Sequence, residues 1–204
     1  RLHDALDDAV SGDTIEVSAG TYEEDVTVTI DLTLTGVDGS GSTVLSGTDT
    51  TLTVADATVE VSGFTLYSDG ERGFSFEEAV VTGSDLSVAA ISSSDDGAGG
   101  RIIAGSEVYL SDVVFNSNEA DEAGGHLVIT DSEVTISDTT FSSGEAENGG
   151  AIYVSDSTLT LESVDLSDNT ASNGWSSAYG GAIVASATTL TIEGSSFEDN
   201  YVDG

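Results

Sequence analysis

The chain has 204 residues and a formal net charge of -35, because 38 aspartate and glutamate residues are balanced by only three arginines and no lysine. This charge excludes nucleic acids and anionic membranes as electrostatic partners. The absence of cysteine excludes disulfides and thiolate metal sites. No apolar run is long enough for direct membrane insertion.

The acidity itself has two interpretations. It can be an adaptation to high salt, in which screening removes the repulsion between carboxylates. It can also supply oxygen ligands for a divalent cation, and Ca²⁺ is the cofactor that such ligands would bind. The complete lack of lysine favours salt adaptation, because a calcium-binding protein has no need to lose its lysines.

The first element predicted along the chain is a capping helix within residues 1–12. Apolar residues recur there with helical spacing, and the segment Ser11-Gly12-Asp13 ends the pattern. These apolar residues are Leu2, Ala5, Leu6, Ala9 and Val10. A helix at this place would cover the open apolar end of a repeated structure.

Residues 13–98 predict irregular coils of a repeat protein. Short alternating strands occur at Leu32 and Leu34 and again at Leu52 and Val54. Further apolar positions in this region are Val59, Val61, Leu66, Phe74, Phe76, Val81 and Val88. The first three of these have the spacing of Val108, Leu110 and Phe115 in the regular repeats that follow.

The regular repeats occupy residues 99–204. Four Gly-Gly pairs begin at Gly99, Gly124, Gly149 and Gly180, so the first three are evenly spaced and the last interval is longer. A short apolar strand follows each pair, and a second strand with strict alternation comes next. Beyond each second strand, at a constant distance, stands a large apolar side chain, namely Phe115, Phe141, Leu166 and Phe197.

These patterns together predict one fold. Alternation means that one face of each strand is buried, and recurrence of the same set in successive repeats means that each unit stacks on the previous one. We therefore predict an all-β protein, a right-handed single-stranded parallel β-helix of about seven coils, with residues 1–204 as a single domain. The pattern is still in mid-repeat at Phe197 and Asn200. This predicts a segment of a longer protein and self-assembly through an open C-terminal coil.

Two motifs within residues 99–204 resemble those of polymorphic outer-membrane protein repeats. The paired-glycine motif is matched by Gly149-Gly150-Ala151-Ile152 and Gly180-Gly181-Ala182-Ile183, and the Phe-x-x-Asn motif by Phe115-Asn116-Ser117-Asn118 and Phe197-Glu198-Asp199-Asn200. The asparagines of this position, Asn118, Asn169 and Asn200, are expected to bond with the coils above and below.

The sequence also departs from the motifs. Arg101 and His126 stand where alanine is expected, and Gly144 stands where an asparagine should follow Phe141. Leu166 replaces a phenylalanine, although Asn169 is retained.

The first half of the chain looks like the opening of the broader pectate-lyase-like β-helix superfamily. The residues that carry this resemblance are Gly12-Asp13-Thr14-Ile15, Gly20-Thr21-Tyr22 and Leu34-Thr35-Gly36. The repeats of the second half imply the passenger region of a surface protein that acts in adhesion. Both resemblances indicate fold more strongly than activity.

We therefore expect a non-catalytic structural or adhesive segment, extracellular or at the cell surface, whose partner is a protein or glycan surface. The alternatives are a polysaccharide-active lyase or glycosidase, or a Ca²⁺-stabilised carbohydrate-binding module. A lyase of the pectate-lyase type needs a basic residue, and the chain offers only Arg1, Arg72 and Arg101. Carboxylates are so numerous that no glycosidase pair stands out, so we predict no catalytic residues.

Acidic residues recur at predicted turns, and two groups of them occupy the same turn of successive coils. These candidates for metal binding are Asp95, Asp96, Glu119, Asp121, Glu122, Glu145 and Glu147. Stacked carboxylates repel one another unless salt screens them or a cation bridges them. A hydrated acidic face is the competing interpretation, and it is the favoured one.

The longest repeat contains an insertion with aromatic residues. Between Asn169 and Gly180 the chain is longer than in neighbouring repeats, and the excess holds Trp175 and Tyr179. Together with Tyr153 these are the predicted binding residues, because exposed aromatic side chains suit sugar or protein contacts. Alternatively, Trp175 covers an outward apolar stripe formed by Ile103, Val128, Tyr153 and Val184.

Overall fold

A computed structural model describes residues 1–173 and 177–203 of the chain. In the first half the elements are α1 (Leu2–Asp8), β1 (Asp13–Val17), β2 (Gly20–Tyr22), β3 (Val26–Val28), β4 (Leu32–Gly36), β5 (Thr43–Gly47), β6 (Thr50–Ala55), β7 (Thr58–Ser68), β8 (Arg72–Glu77), β9 (Val80–Ala89) and β10 (Ser92–Ser93).

In the second half the elements are β11 (Gly100–Ile103), β12 (Glu107–Asn116), β13 (Glu119–Ala120), β14 (Leu127–Thr130), β15 (Glu133–Ser137), β16 (Thr140–Ser142), β17 (Glu145–Ala146), β18 (Ile152–Ser155), β19 (Thr158–Glu162), β20 (Asp165–Ser167), β21 (Thr170–Ser172), β22 (Ile183–Ser186), β23 (Thr189–Glu193), β24 (Ser196–Glu198) and β25 (Tyr201–Asp203).

The strands form three sheets, which we name A, B and C, with 13, seven and five strands. Neighbouring strands run parallel, as in the pairs β12–β15, β14–β18 and β17–β21. Sheet B contains one strand from each coil, in the order β22-β18-β14-β11-β8-β6-β3, so seven layers are joined by about six turns. The predicted all-β parallel β-helix with a short N-terminal helix is confirmed.

Each coil passes from sheet B to sheet A and then to sheet C, and its corners have left-handed backbone conformation. In one coil the corners lie at Asp131, Asp138, Ser143 and Gly149, with φ values of 49°, 48°, 56° and 65°. Aspartate occupies eight of the fifteen non-glycine positions of positive φ among the described residues. Aspartate tolerates this conformation better than most side chains, so part of the acidity has a conformational role.

The large apolar side chains form the predicted column. Phe115 pairs with Phe141, Phe141 with Leu166, and Leu166 with Phe197. The rings of Phe115 and Phe141 stack with their centroids 4.6 Å apart and their planes 5° from parallel. Repetition of one side-chain position thus builds a continuous buried core from a chain of modest hydrophobicity.

One predicted correspondence between repeats is wrong. Gly100 pairs with Leu127 rather than with a glycine, and Gly97 takes the left-handed corner that Gly124 takes in the next coil, with φ values of 59° and 60°. The repeat here therefore begins at Gly97 rather than at Gly99 and is longer than the spacing of the glycine pairs suggests. The sequence alone predicted that this repeat starts at Gly99-Gly100, because two consecutive glycines match the paired-glycine motif. In the structure the corresponding corner lies earlier, at Gly97.

The N-terminal helix is shorter than predicted. It ends at Asp8, because Ala9 is extended with φ -72° and ψ 150°. Leu2 is buried against the first coil, whereas Val10 lies outside the helix and is 65% exposed. The carboxylate of Glu24 accepts hydrogen bonds from the backbone N–H groups of Leu2 and His3, at 3.0 and 3.1 Å. This helix covers one end of the core.

The last coil has no comparable cover among the described residues. Ile192, Phe197 and Val202 are 43%, 44% and 49% exposed. Their partners one coil earlier are Leu161, Leu166 and Ala171, which are all fully buried. The core columns therefore reach the surface at this end of the described chain.

A row of polar side chains runs through the core beside the phenylalanine column. Asn118 Nδ2 lies 3.0 Å from His126 Nδ1, His126 Nε2 lies 3.2 Å from Asn169 Oδ1, and Asn169 Nδ2 donates to Asn200 Oδ1 at 2.8 Å. The same amides donate to backbone carbonyls of the preceding coil, as Asn118 does to Val88. The prediction that these asparagines bond between coils is confirmed. We name this row the amide–imidazole ladder.

His126 occupies the place of a missing asparagine in this ladder. By strand register, Gly144 is the counterpart of Asn118 and Asn169. A Cβ at Gly144 would lie 2.6 Å from His126 Nε2 and 2.4 Å from the backbone oxygen of Gly150. By the same register, His126 is the counterpart of Ala151. The two departures from the repeat motifs therefore compensate each other, because a larger side chain at one position fills the space left by the smaller one.

The ladder fixes His126 in its neutral form. Both amide hydrogens of Asn118 are engaged, with Val88 and with the imidazole, so Nδ1 accepts and Nε2 donates. Burial is the main reason that the pKa of His126 is lowered from 6.5 to about 3, although its bond to Asn169 and a backbone bond at Ser142 partly oppose the shift. His126 is thus an uncharged structural group at neutral pH.

Candidate functional site

A groove of about 620 Å³ lies where the turn from sheet C to sheet B passes beside the outer face of sheet B. Its lining residues come from four successive coils and are Ser94, Asp96, Asp121, Glu122, Ala123, Val128, Thr130, Glu147, Asn148 and Tyr153. Several residues that the sequence singled out separately therefore meet in one place.

The floor of the groove is apolar and aromatic. Val128 and Tyr153 are neighbours in the register of β14 and β18, on the outward face of sheet B. Val128 is only 3% exposed despite facing outward, because the corner at Gly124 packs against it: a Cβ on that glycine would lie 2.7 Å from the valine side chain. Tyr153 is half-buried beside it. Both floor strands, β14 and β18, are paired with a neighbouring strand on each side.

The rim of the groove is acidic. Of the predicted metal-binding residues, Asp96, Asp121, Glu122 and Glu147 line it. Glu119 and Glu145 lie in register on the exposed face of sheet C and are absent from this lining. Among the residues that the structure describes, no three acidic or histidine side chains converge closely enough to hold a metal ion. Ca²⁺ binding by these residues stays a prediction.

Asp95 and Asp96 have a partner that the sequence did not reveal. The guanidinium of Arg72 is buried, with 3% of its side chain exposed, and lies 3.5 Å from Asp95, 3.6 Å from Asp96 and 3.2 Å from Glu71. It also donates to the backbone carbonyl of Asp96 at 3.1 Å. A fixed cation thus already neutralises part of the charge of this acidic turn.

The predicted outward stripe needs one correction. Val128, Tyr153 and Val184 do form a column on sheet B, but the residue that precedes them is Arg101 rather than Ile103. The cause is the shift of the repeat at Gly97. Arg101 consequently faces outward and does not stand in the alanine position. Its Nε is buried and has no hydrogen-bond partner among the described residues.

The remaining predicted binding residues lie at the C-terminal side of the groove or outside the described part of the chain. Tyr179 is 63% exposed and forms a backbone bridge with Asn148, which lines the groove. Tyr179 therefore lies one coil beyond Asn148 and is not among the residues that line the groove. Trp175 falls outside the described residues, so both of its predicted roles stay predictions.

Comparison with known proteins gives a resemblance of overall shape alone. No family model matches the chain, and no curated protein matches its sequence. Two solved structures are similar: pectin methylesterase PemA from Erwinia chrysanthemi, with 11% identity, a TM-score of 0.48 and coverage of 90% of this chain and 75% of that one, and pectin methylesterase from carrot, with 10% identity, a TM-score of 0.41 and coverage of 97% and 81%. A similarity this distant carries no information about function.

Within the described residues, no helix has the length and apolar character needed to cross a membrane.

The sequence did not reveal the roles of Arg72 and His126. The signal for His126 was present, because its own departure from the motif and that of Gly144 occur in the same coil. For Arg72 no comparable signal exists, because Asp95 and Asp96 lie one coil further along the chain.

Proposed function

We propose that the chain is a non-catalytic, structural or adhesive β-solenoid segment of a secreted or cell-surface protein, and that it binds a glycan or protein surface through the groove around Tyr153. The observation that carries this proposal is the composition of the groove. A half-buried tyrosine and a buried valine form its floor, and carboxylate, amide and hydroxyl groups surround them.

This composition suits a sugar better than an apolar ligand. An aromatic face packs against the C–H groups of a sugar ring, while carboxylates accept hydrogen bonds from sugar hydroxyls and Asn148 can both donate and accept. A net charge of -35 repels anionic polymers such as polyuronates. The preferred ligand is therefore a neutral or amino-bearing glycan.

Surface display is supported by the repeat motifs, which resemble those of polymorphic outer-membrane protein passengers. A stack of coils with one continuous core is a stiff rod, which suits a spacer or an adhesive stalk. The acidity, together with the absence of lysine, supports a saline habitat.

The test is a glycan array followed by titration calorimetry with any glycan that binds. Tyr153→Ala should weaken binding at least tenfold, because it removes the stacking surface. Tyr109→Ala is the matched control, since Tyr109 is 44% exposed on sheet A and hydrogen-bonded to Glu107, away from the groove.

Assays for new reducing ends and for unsaturated uronates, run on the same glycans, separate this proposal from the enzymatic alternative. Turnover would support a polysaccharide-active enzyme. Binding without turnover supports an adhesin. If no glycan or host-surface protein binds, the groove has no adhesive role and only the spacer function is retained.

A further inference from the structure

The outer face of sheet B carries a half-buried arginine whose guanidinium bonds to nothing in the described chain. Arg101 faces outward between Ser75 of β8 and Val128 of β14. Its side chain makes no hydrogen bond and no ion pair with a described residue, although its Nε is buried. A buried N–H group without an acceptor lowers stability, so such a group in a folded protein points to an acceptor that binds there.

The other two arginines of the chain both have carboxylate partners. Arg1 lies 3.9 Å from Glu24, and Arg72 lies within 3.6 Å of three carboxylates. In a chain with 38 acidic residues, a guanidinium without an ion pair is therefore unusual. Arg101 leaves a local positive charge unneutralised on an otherwise acidic surface.

The carboxylates on the elements next to Arg101 do not neutralise it. Asp95 and Asp96, in the turn that leads into β11, are engaged by Arg72 instead. Glu77, at the end of the neighbouring strand β8, is exposed and makes no ion pair with Arg101. An anion at Arg101 would therefore meet a guanidinium whose charge no ion pair already offsets.

A hydroxyl group without a hydrogen-bond partner lies beside this arginine. Ser75 faces outward, because Phe74 and Phe76 on either side of it are buried in the core. Ser75 is only 6% exposed, and its side chain makes no hydrogen bond within the described part of the chain. Thr53, its neighbour one coil earlier, also has an unbonded side chain. Adjacent strands are about 4.8 Å apart, so the Ser75 hydroxyl and the Arg101 guanidinium can reach one bound group.

We propose that Arg101 and Ser75 bind a single oxyanion, the carboxylate or sulfate group of a small molecule or of an otherwise uncharged glycan. The Nε and one terminal nitrogen of arginine form a fork that matches two oxygens of such a group, and the hydroxyl donates a further hydrogen bond. A net charge of -35 disfavours polyanions, so an isolated group is the form that binds. The site lies beside Val128 and does not require a ligand in the groove.

Nuclear magnetic resonance tests the proposal, because three arginines give three Nε signals. Sodium chloride is replaced stepwise by sodium sulfate or sodium acetate at constant ionic strength. The Arg101 signal, which is the one lost in Arg101→Lys, should shift and saturate with a dissociation constant of about 10 mM or less. The Nε signal of Arg1 should not follow it.

The backbone amide signal of Val128 reports binding in the variants. Arg101→Lys should weaken binding at least about tenfold, because an ammonium group lacks the fork, and Ser75→Ala should weaken it about threefold. Arg1→Lys is the matched control, since the side chain of Arg1 is 70% exposed at the far end of the solenoid, and it should leave binding unchanged.

Circular dichroism verifies that the variants are folded, and Ser75→Ala decides the outcome if Arg101→Lys is not. A response to sulfate alone or to acetate alone supports the proposal and identifies the group. No saturable shift in either salt overturns it. Equal shifts of the Arg1 and Arg101 signals, or binding that survives Arg101→Lys unchanged, also overturn it, because the response would then be general to cationic groups.

Discussion

At the residue scale, the exchange between His126 and Gly144 can be tested by restoring the usual pair. His126→Ala should lower the free energy of unfolding by about 3 kcal/mol, because it opens a cavity and leaves Asn118 and Asn169 with one partner fewer. Gly144→Asn alone should also destabilise the fold, because its Cβ would lie 2.4 Å from the backbone oxygen of Gly150 and 2.6 Å from the imidazole. The double variant has the residue types of Ala151 and Asn169 in the next coil and should recover part of the loss, because it removes the contact with the imidazole but not the contact with the backbone oxygen of Gly150.

Urea denaturation at one fixed NaCl concentration measures the three variants. We expect a coupling energy of about 2 kcal/mol or more between the two positions. Additive effects would mean that the imidazole does not take the place of the missing amide.

His126 also predicts a pH dependence. Its pKa is lowered to about 3 in the folded chain and is about 6.5 when unfolded. Below pH 6.5 the unfolded chain therefore binds a proton that the folded chain does not. The stability due to the neutral imidazole is fully present above pH 6.5 and is lost as the pH falls toward 3.

Between pH 7.5 and pH 5 the loss should be about 2 kcal/mol relative to the His126→Ala/Gly144→Asn variant. That variant is the control, because it keeps every carboxylate and lacks only this imidazole. Urea denaturation at the two pH values gives the comparison. Parallel pH dependences in the two proteins would contradict the prediction.

At the scale of the element, the corners between strands explain where many of the aspartates stand. Asp131 has a φ of 49°, so Asp131→Val should cost about 1–2 kcal/mol of stability. Asp131→Asn keeps a side chain suited to this conformation and removes a charge from a surface groove that Glu133 and Asp156 also line. The Asp131→Asn substitution should leave the free energy of unfolding unchanged at high salt and raise it at low salt.

Urea denaturation of both variants at about 0.1 M and about 2 M NaCl distinguishes conformation from charge. If Asp131→Asn is as damaging as Asp131→Val, the carboxylate itself is needed at the corner, for instance as a cation ligand.

The strands and their register were largely predictable, because each coil repeats the same alternation of buried and exposed residues. Phe115, Phe141, Leu166 and Phe197 could be aligned from spacing alone. The corner aspartates could not be recognised, because backbone φ has no signature in a pattern of apolar residues. The repeat at Gly97 was misplaced because Ala98 interrupts the glycine pair there.

The sequence identified individual residues of the groove but not that they lie together. Tyr153 and the acidic turns were identified separately, and the parallel stacking of coils brings them together. Asp96 and Tyr153 belong to coils that are not adjacent in sequence, yet they line one groove. Proximity of this kind depends on the length of every intervening turn, which sequence spacing fixes only approximately.

At the scale of the whole molecule, we expect charge repulsion to dominate the response to salt. The melting temperature should rise by at least about 5 °C between about 0.05 M and about 2 M NaCl, because screening weakens the repulsion among 38 acidic residues. Thermal melts with CaCl₂ and with a chelator, at constant ionic strength, form the control. A further rise with Ca²⁺ would assign cation binding to the acidic turns, and no rise with NaCl would contradict salt adaptation.

The compensation between His126 and Gly144 constrains how such a chain can evolve. Either change made alone passes through a poorly packed intermediate, so the two positions should be inherited together although they are not neighbours in sequence. In any related chain that has asparagine at position 144, we expect a small residue such as alanine at position 126.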